Sequence, residues 1–491
     1  MAPAVFLLVA SLSAAGAVDN VRADIARQFD EILAGPAFKD AKVGVHVMRL
    51  DDGAEIYNKN PDTAPIPAST VKVVTASAAL YHLSPDYRFR TEVYARPEPD
   101  GTVRGDLYLK GHGDPWLLPE RLWFLATRLY YQGVRTIYGN LVVDDTFFDG
   151  PRLANGWEQD ESSNAYMAPA GALSVGFNAV MVHVMPAAAG QDARVLVDPD
   201  SAYAKVVGSV RTVSRGRTNI WIETEPAGDR SIVKVSGRVS ASEGPRGYWR
   251  RVDNPPVFAG EVFRTVLKQS GVTLKGRVVA AVVPADAPRI LTLTSPRLAD
   301  LLEQVNKHSN NFMAEQVART MGAEVYGPPG NWNNAHKAIS AFLEEQVGLE
   351  RGSYKIANAS GLHDVNRFSP RQIVRVLDYM YRQPQLRPEF VASLAVAGGT
   401  GTLAERMRDT DATRLVRAKT GTLSNASALS GYVTTKSGET LAFSILVNDY
   451  KPPVSDVWRA QDRMGAALAG TSSSPAPGAP TTAHAAPVDA P

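Results

Sequence analysis

Cysteine is absent from all 491 residues, so the chain has no thiol nucleophile, no disulfide and no thiolate metal site. Any side-chain nucleophile is an oxygen or an amine, and an oxidising compartment would cost the protein nothing. Charge of one sign is missing too. The 52 Lys and Arg oppose 50 Asp and Glu, a net charge of +2, which builds no field for nucleic acid or an acidic surface. The eight histidines fall in no His-Glu-x-x-His or comparable ligand spacing, so no metal is expected. Past the amino terminus no stretch approaches the ~18 to 20 continuous apolar residues of a membrane span, and membrane contact should be peripheral at most. No repeat of fixed period occurs.

What is present reads as a globular chain, 44% hydrophobic and long enough for two or three cores. Residues 1–17, "MAPAVFLLVASLSAAGA", form an apolar run ending in the small-x-small pattern Ala15-Gly16-Ala17, a secretory leader by length and ending. Export is expected. The last stretch, 470–491, is built from Ala, Pro, Ser, Thr and Gly, cannot bury a core, and is expected to be disordered. Between those ends the texture changes twice. Residues 18–93 hold a helix, the alternating strand "KVGVHVMRL" with its turn "DDG", and the apolar segment "IPASTVKVVTASAAL". Residues 94–285 are rich in short alternating runs between Gly, Pro, Asp and Asn, and read as strands with few helices; a smaller nested piece is expected at 187–242. Helical patterning returns over 286–469, which closes with three strands in an antiparallel meander joined in part by the turn "KSGE". The expected architecture is one α/β domain, made of 18–93 and 286–469, interrupted by a mostly β insertion.

Three short signals carry the chemistry. Ser69 and Lys72 are three residues apart at a helix start, after Pro65 and Pro67 have blocked an earlier one. Helical residues i and i+3 share a face within hydrogen-bond reach, the spacing a base needs to take a serine proton. Val71, Val74, Ala78 and Tyr81 share one helical face and Ala and Leu fill the others, so the helix is apolar nearly all round, which would desolvate Lys72 and favour its neutral amine. A Ser69 helix cap beside a solvated Lys72 fits the pair alone equally well. A second Ser-x-x-Lys, Ser231 to Lys234, lies in an alternating strand, where residues three apart point to opposite faces. The second signal is Ser309-Asn310-Asn311, before an amphipathic helix; its decoy, Ser162-Ser163-Asn164, lies in a loop. The third is Lys419-Thr420-Gly421 on a strand, with a decoy, Lys436-Ser437-Gly438, in a hairpin turn. Ser-x-x-Lys, Ser-x-Asn and Lys-Thr-Gly in that order, on those elements, form one constellation.

With those motifs the chain resembles the penicillin-recognising serine peptidases, and among them the D-alanyl-D-alanine carboxypeptidase/endopeptidase family of penicillin-binding proteins of the PBP4 type. The insertion between Lys72 and Ser309 matches that family, as do "GDLYLKGHGDP", "HSNNFMAE" and "AKTGTL". "NASGLHDVNRFSP" resembles its Asp-Gly-Ser-Gly-Leu segment, with Asn358 and Ala359 in place of Asp and Gly. The resemblance covers about residues 20–465. It implies a β-lactamase/transpeptidase-like domain, an antiparallel sheet flanked by helices. It also implies peptidoglycan stem peptides as substrates, β-lactams as covalent inhibitors, a periplasmic or cell-wall location and no cofactor. Carried onto this sequence, Ser69 attacks a D-Ala-D-Ala carbonyl with Lys72 as base, and Ser309 with Lys419 relays a proton to the leaving amine. Asn311 holds the substrate backbone; Lys419, Thr420 and Thr422 bind the terminal carboxylate. Gly421 keeps the cleft clear beside the strand, and the backbone N–H groups of Ser69 and Thr422 form the oxyanion hole.

Three rivals share these motifs. A β-lactamase would be little more than half this length and would want a deacylating Glu on a loop some way after the Ser-x-Asn, whereas Glu303 precedes it. A non-catalytic peptidoglycan-binding scaffold and a strict transpeptidase are the others. One loop, Asn155 to Tyr166, concentrates Trp157, Glu158, Asp160, Glu161 and Tyr166. Most acidic loops are simply solvated. If this one folds back over the cleft, Trp157 and Asp160 would anchor a free ammonium on the third residue of the stem peptide.

Overall fold

In the computed structural model, residues 22–451 and 453–471 are described; the expected leader, 1–17, and the expected tail from 472 onward lie outside them. Gly470 and Thr471 do not belong to a tail: Gly470 ends the helix Val454–Gly470, and Thr471 is buried with its hydroxyl donating to Leu468 O.

The central sheet has six strands, in the order Ala395–Val396, Val416–Thr422, Ala426–Thr434, Thr440–Asn448, Lys42–Arg49 and Glu55–Lys59. Every neighbouring pair is antiparallel, and the expected three-strand meander sits in its middle. Ala426–Thr434 and Thr440–Asn448 are buried almost end to end, because helices cover both faces. That is why "TLAFSILVN" is continuously apolar instead of alternating. On one face lie a helix over 22–33 and Val454–Gly470. On the other, Val71–Leu83 is enclosed by Leu298–Lys307, Asn311–Tyr326, Trp332–Ala341 and Pro370–Tyr381. The reactive motifs therefore meet where the buried amino-terminal end of that helix abuts the Val416–Thr422 strand.

The inserted region is mostly strands with few helices, as expected. Its five-stranded sheet pairs Leu141–Asp144 in parallel with both Leu107–Gly111 and Val278–Ala280, and helices Pro119–Tyr131 and Pro255–Gln269 supply crossovers. Both helices begin with Pro in the first turn, and Leu122, Leu125, Ala126 and Leu129 repeat at helical spacing. The sheet also takes in Arg90–Tyr94 and Arg289–Thr294, so its pairing extends beyond 94 and 285. Within the region a separate apolar cluster joins Val182, Val184, Val210, Ile222, Val233, Val235 and Val239. It draws on Ala179–Met185, with Arg246–Arg251 paired alongside, and so reaches past both ends of 187–242.

Candidate active site

The nucleophile turn starts with strain. Ala68, φ +47°, sits in the left-handed region that an L residue rarely adopts, and a single 3-10 turn, Ala68–Thr70, leads into the helix Val71–Leu83. Thr70 Oγ donates to Pro67 O at 2.6 Å, which closes the turn. Gly361, φ +76°, lies against it so tightly that a Cβ there would fall 2.0 Å from Ala68 O. Ser69 caps nothing with its side chain and is partly exposed, whereas Lys72 is 0% exposed. The helix-cap and solvated-lysine alternative is thereby excluded.

Lys72 Nζ meets three oxygens: Ser69 Oγ at 3.0 Å, Asn311 Oδ1 at 2.7 Å and the Ser360 carbonyl at 2.6 Å. Burial pushes its pKa down to about 7, with Glu315 pulling the other way. Ser309, φ +57°, occupies the short link between two helices. It is not the cap of the second: Asn310 is, accepting from Met313 N at 3.0 Å. Ser309 is thus free to receive Lys419 Nζ, which donates to its Oγ at 2.9 Å and to Thr420 O at 2.7 Å. Lys419 is also 0% exposed, and burial, reinforced by Lys72, holds its pKa well below the ordinary lysine value.

Gly421 is required for a reason other than the one read from the sequence. A Cβ there would lie 2.9 Å from Ser69 N and 3.0 Å from Ala68 Cβ, so it would strike the nucleophile turn itself. Thr420 Oγ donates to Thr402 Oγ at 2.7 Å, and Thr422 is exposed at the strand end. The decoys stay apart. Ser231 Oγ donates to Tyr203 Oη, while Lys234 pairs with Glu225 at 2.5 Å; Lys436 in its turn pairs with Asp411 at 2.6 Å. Ser162-Ser163-Asn164 remains in a loop.

Trp157 is a correction. It is 1% exposed, packed in a small core with Ala154, Met167, Ala170 and Trp332, and has no face to offer a cation. The loop's acidic residues point to an exposed aromatic, whereas apolar residues on both flanks of the loop, joined by the distant Trp332, bury it. Asp160 bonds within its own loop: its carboxylate accepts from Ser162 N at 2.8 Å and from Tyr166 Oη at 3.0 Å. Tyr166, 47% exposed, accepts from Asn311 Nδ2 at its backbone carbonyl, 3.2 Å away, so the loop reaches the cleft through Tyr166. The sequence reading also passed over Glu315, which accepts from Ala359 N at 3.1 Å and Ser360 N at 2.9 Å.

These contacts join the three motifs through two buried lysines, and comparison with known proteins agrees on what they belong to. The D-Ala-D-Ala carboxypeptidase 3 (S13) family profile matches residues 25–468. The chain belongs to that family. As an S13 member it is a serine-type D-Ala-D-Ala carboxypeptidase, a hydrolase. A D-alanyl-D-alanine carboxypeptidase of Actinomadura sp. (strain R39) is 37% identical over 463 residues, covering 91% of this chain and 85% of that protein. The DacB D-alanyl-D-alanine carboxypeptidase of Haemophilus influenzae is 26% identical over 414 residues, 84% of this chain and 86% of its own. The crystal structure of penicillin binding protein 4 (dacB) from H. influenzae superposes with a TM-score of 0.77 at 24% identity, over 89% of this chain and 97% of that one. A β-lactam complex of the same protein superposes at 0.74 and 23% identity, over 90% and 99%. The S13 fold accounts for both the antiparallel sheet flanked by helices and the inserted region.

Proposed function

We propose that this S13 carboxypeptidase is exported and cleaves peptidoglycan stem peptides, as carboxypeptidase, endopeptidase or both, through an acyl-enzyme on Ser69 that β-lactams trap. The observation that carries the reading is the set of three oxygens around Lys72 Nζ. A neutral amine has two N–H donors and one lone pair. Asn311 Oδ1 and the Ser360 carbonyl can only accept, so both donors are committed to them and the lone pair faces Ser69 Oγ. Lys72 then takes the Ser69 proton as Oγ attacks the carbonyl. Charge developing on the carbonyl oxygen is met by the N–H groups of Ser69 and Thr422. Lys419, donating to Ser309 Oγ, orients that hydroxyl so that its proton passes to the leaving amine, and the amine's bond to the acyl carbon breaks. Lys419, Thr420 and Thr422 receive the terminal carboxylate. The proton held by Lys72 replaces the one Ser309 has given up, which leaves Lys72 neutral again; water then attacks the acyl-enzyme, Lys72 takes its proton, and that proton passes to Ser69 Oγ as the acyl C–O bond breaks.

A β-lactamase would need a carboxylate free to activate that water. Glu315 follows Ser309, but its two oxygens are taken by Ala359 N and Ser360 N. With Trp157 buried, Asp160 beside Tyr166 is the carboxylate and aromatic pair assigned to the third-residue ammonium. Incubation with a cross-linked muropeptide, followed by mass spectrometry, tests the function. Loss of a terminal D-Ala, a split cross-link, or both, all absent with Ser69→Ala, is expected. Uptake of penicillin with no product from any muropeptide would leave the scaffold reading in its place.

A further inference from the structure

Glu315 has no part in the mechanism above, yet it is a carboxylate 1% exposed in the middle of the site. It lies four residues after Asn311 on the helix Asn311–Tyr326, so the two side chains leave the same face one turn apart. Asn311 touches Lys72 directly. Glu315 reaches it through the backbone: one oxygen accepts from Ser360 N and the other from Ala359 N, and the carbonyl of Ser360 is the third oxygen on Lys72. The remaining groups of this turn are held from the other side. Thr75 Oγ donates to Ala359 O at 2.7 Å, Asn358 Oδ1 accepts from Gly361 N at 2.9 Å, and Gly361 is wedged on Ala68. Burial raises the Glu315 pKa above the ordinary carboxylate value, and the two backbone donors together with Lys72 oppose that rise by favouring the anion.

We propose that Glu315 is a positioning residue for acylation: its carboxylate clamps the Ala359–Ser360 turn so that the Ser360 carbonyl occupies one donor direction of Lys72 Nζ and the lone pair is left for Ser69, while its charge acts as the counter-ion of Lys72. The inference rests on the Ser69 and Lys72 roles proposed above. A buried carboxylate serving only as a staple between helix and turn would be indifferent to the protonation of Lys72. A counter-ion is not. Among the described residues, the charged groups acting on Lys72 and Glu315 are each other, Lys419 from the neighbouring strand and Arg319 one turn further along the helix, itself drawn to Asp145. Removing the anion leaves Lys72 beside Lys419 alone, which disfavours the ammonium. Lys72 then loses its proton at lower pH, and the rising acid limb of acylation moves toward acid.

The test is single-turnover acylation of the full protein by a fluorescent penicillin as a function of pH, for the wild type, Glu315→Gln and Glu315→Asp. Gln has one acceptor for two N–H groups and no charge. Its plateau rate constant should fall about 10- to 100-fold, in the range lost when a catalytic group is misplaced, and its acid limb should shift to lower pH. Asp keeps the charge and loses reach, so its plateau should fall with the limb near the wild-type pH. Rate constants of the labelled fraction do not depend on how much protein folds. If Glu315→Gln yields no folded protein, Glu315→Asp decides alone: a lowered plateau at the wild-type limb supports the clamp. A Gln limb at the wild-type pH, or an Asp variant with the full plateau, overturns the proposal. A wild type that takes up no penicillin at any pH refutes the acyl-enzyme reading itself, and with it this inference.

Discussion

Ser69 to Lys72 and Ser231 to Lys234 have the same spacing and opposite fates. The first pair starts a helix buried from Val71 to Leu80, and serine and lysine are 3.0 Å apart. The second lies in the strand Arg230–Ser240, where the pleat turns Ser231 inward to Tyr203 and Lys234 outward to Glu225. Burial separates the lysines further: Lys72 is forced toward neutrality, while Lys234, 44% exposed at its side chain, keeps a surface partner. A surface ion pair of that kind is worth about 0 to 1 kcal/mol and does no chemistry. Spacing acquires chemical meaning only from the element that carries it and the solvent it excludes.

Substitutions that break this contrast should do so in graded steps. Ser69→Ala should abolish acylation by penicillin, with Ser231→Ala labelled at the wild-type rate. Lys72→Gln should slow acylation by roughly 10²- to 10⁴-fold, the range of a lost general base, and Lys234→Gln should leave it unchanged. Because the neutral amine is the base and burial holds Lys72 near pH 7, wild-type acylation should rise with pH through about 7 and fall away below it. A profile flat from pH 5 to 9 would remove Lys72 from that role. The Lys-Thr-Gly pair of regions gives a smaller contrast. Gly421→Ala drives a Cβ into the Ser69 turn, and should cost about 1 to 3 kcal/mol of stability and slow acylation. Gly438→Ala meets nothing within 4 Å; it should cost about 1 kcal/mol through its φ of +88° alone and leave acylation intact. Thermal melting and penicillin labelling of both variants check this. Asp160→Asn should show the smallest effect, a several-fold loss of kcat/KM on a stem peptide with a free third-residue amine and none on penicillin, which lacks that group. Equal losses on both would return Asp160 to the solvated surface.

How much of this the sequence displays depends on how local each feature is. The three motifs were legible because each is a short spacing on one element, and the elements that carry them screened out the decoys. The central sheet was legible because "TLAFSILVND" and "ALSGYVTT" are strand-like and joined by a tight turn. Glu315 was not, since its meaning arises where a helix meets the Ala359–Ser360 turn, which lies 44 residues further along. Nor was the third oxygen on Lys72, a backbone carbonyl that any residue at 360 would supply. Trp157 failed for the same reason in reverse: the loop's composition described its exposed neighbours, and Trp332, far along the chain, helps bury it. In the inserted region the few helices expected were left unplaced, because the helical spacing around Leu122 is flanked on both sides by strand-like runs.

The most direct measurement is mass spectrometry of the intact protein after exposure to penicillin, followed by tryptic mapping of the adduct. One penicilloyl group on the peptide carrying Ser69, absent in Ser69→Ala and present in Ser231→Ala, is the predicted result. An adduct on any other serine, or none on a folded protein at pH 8, would contradict the account.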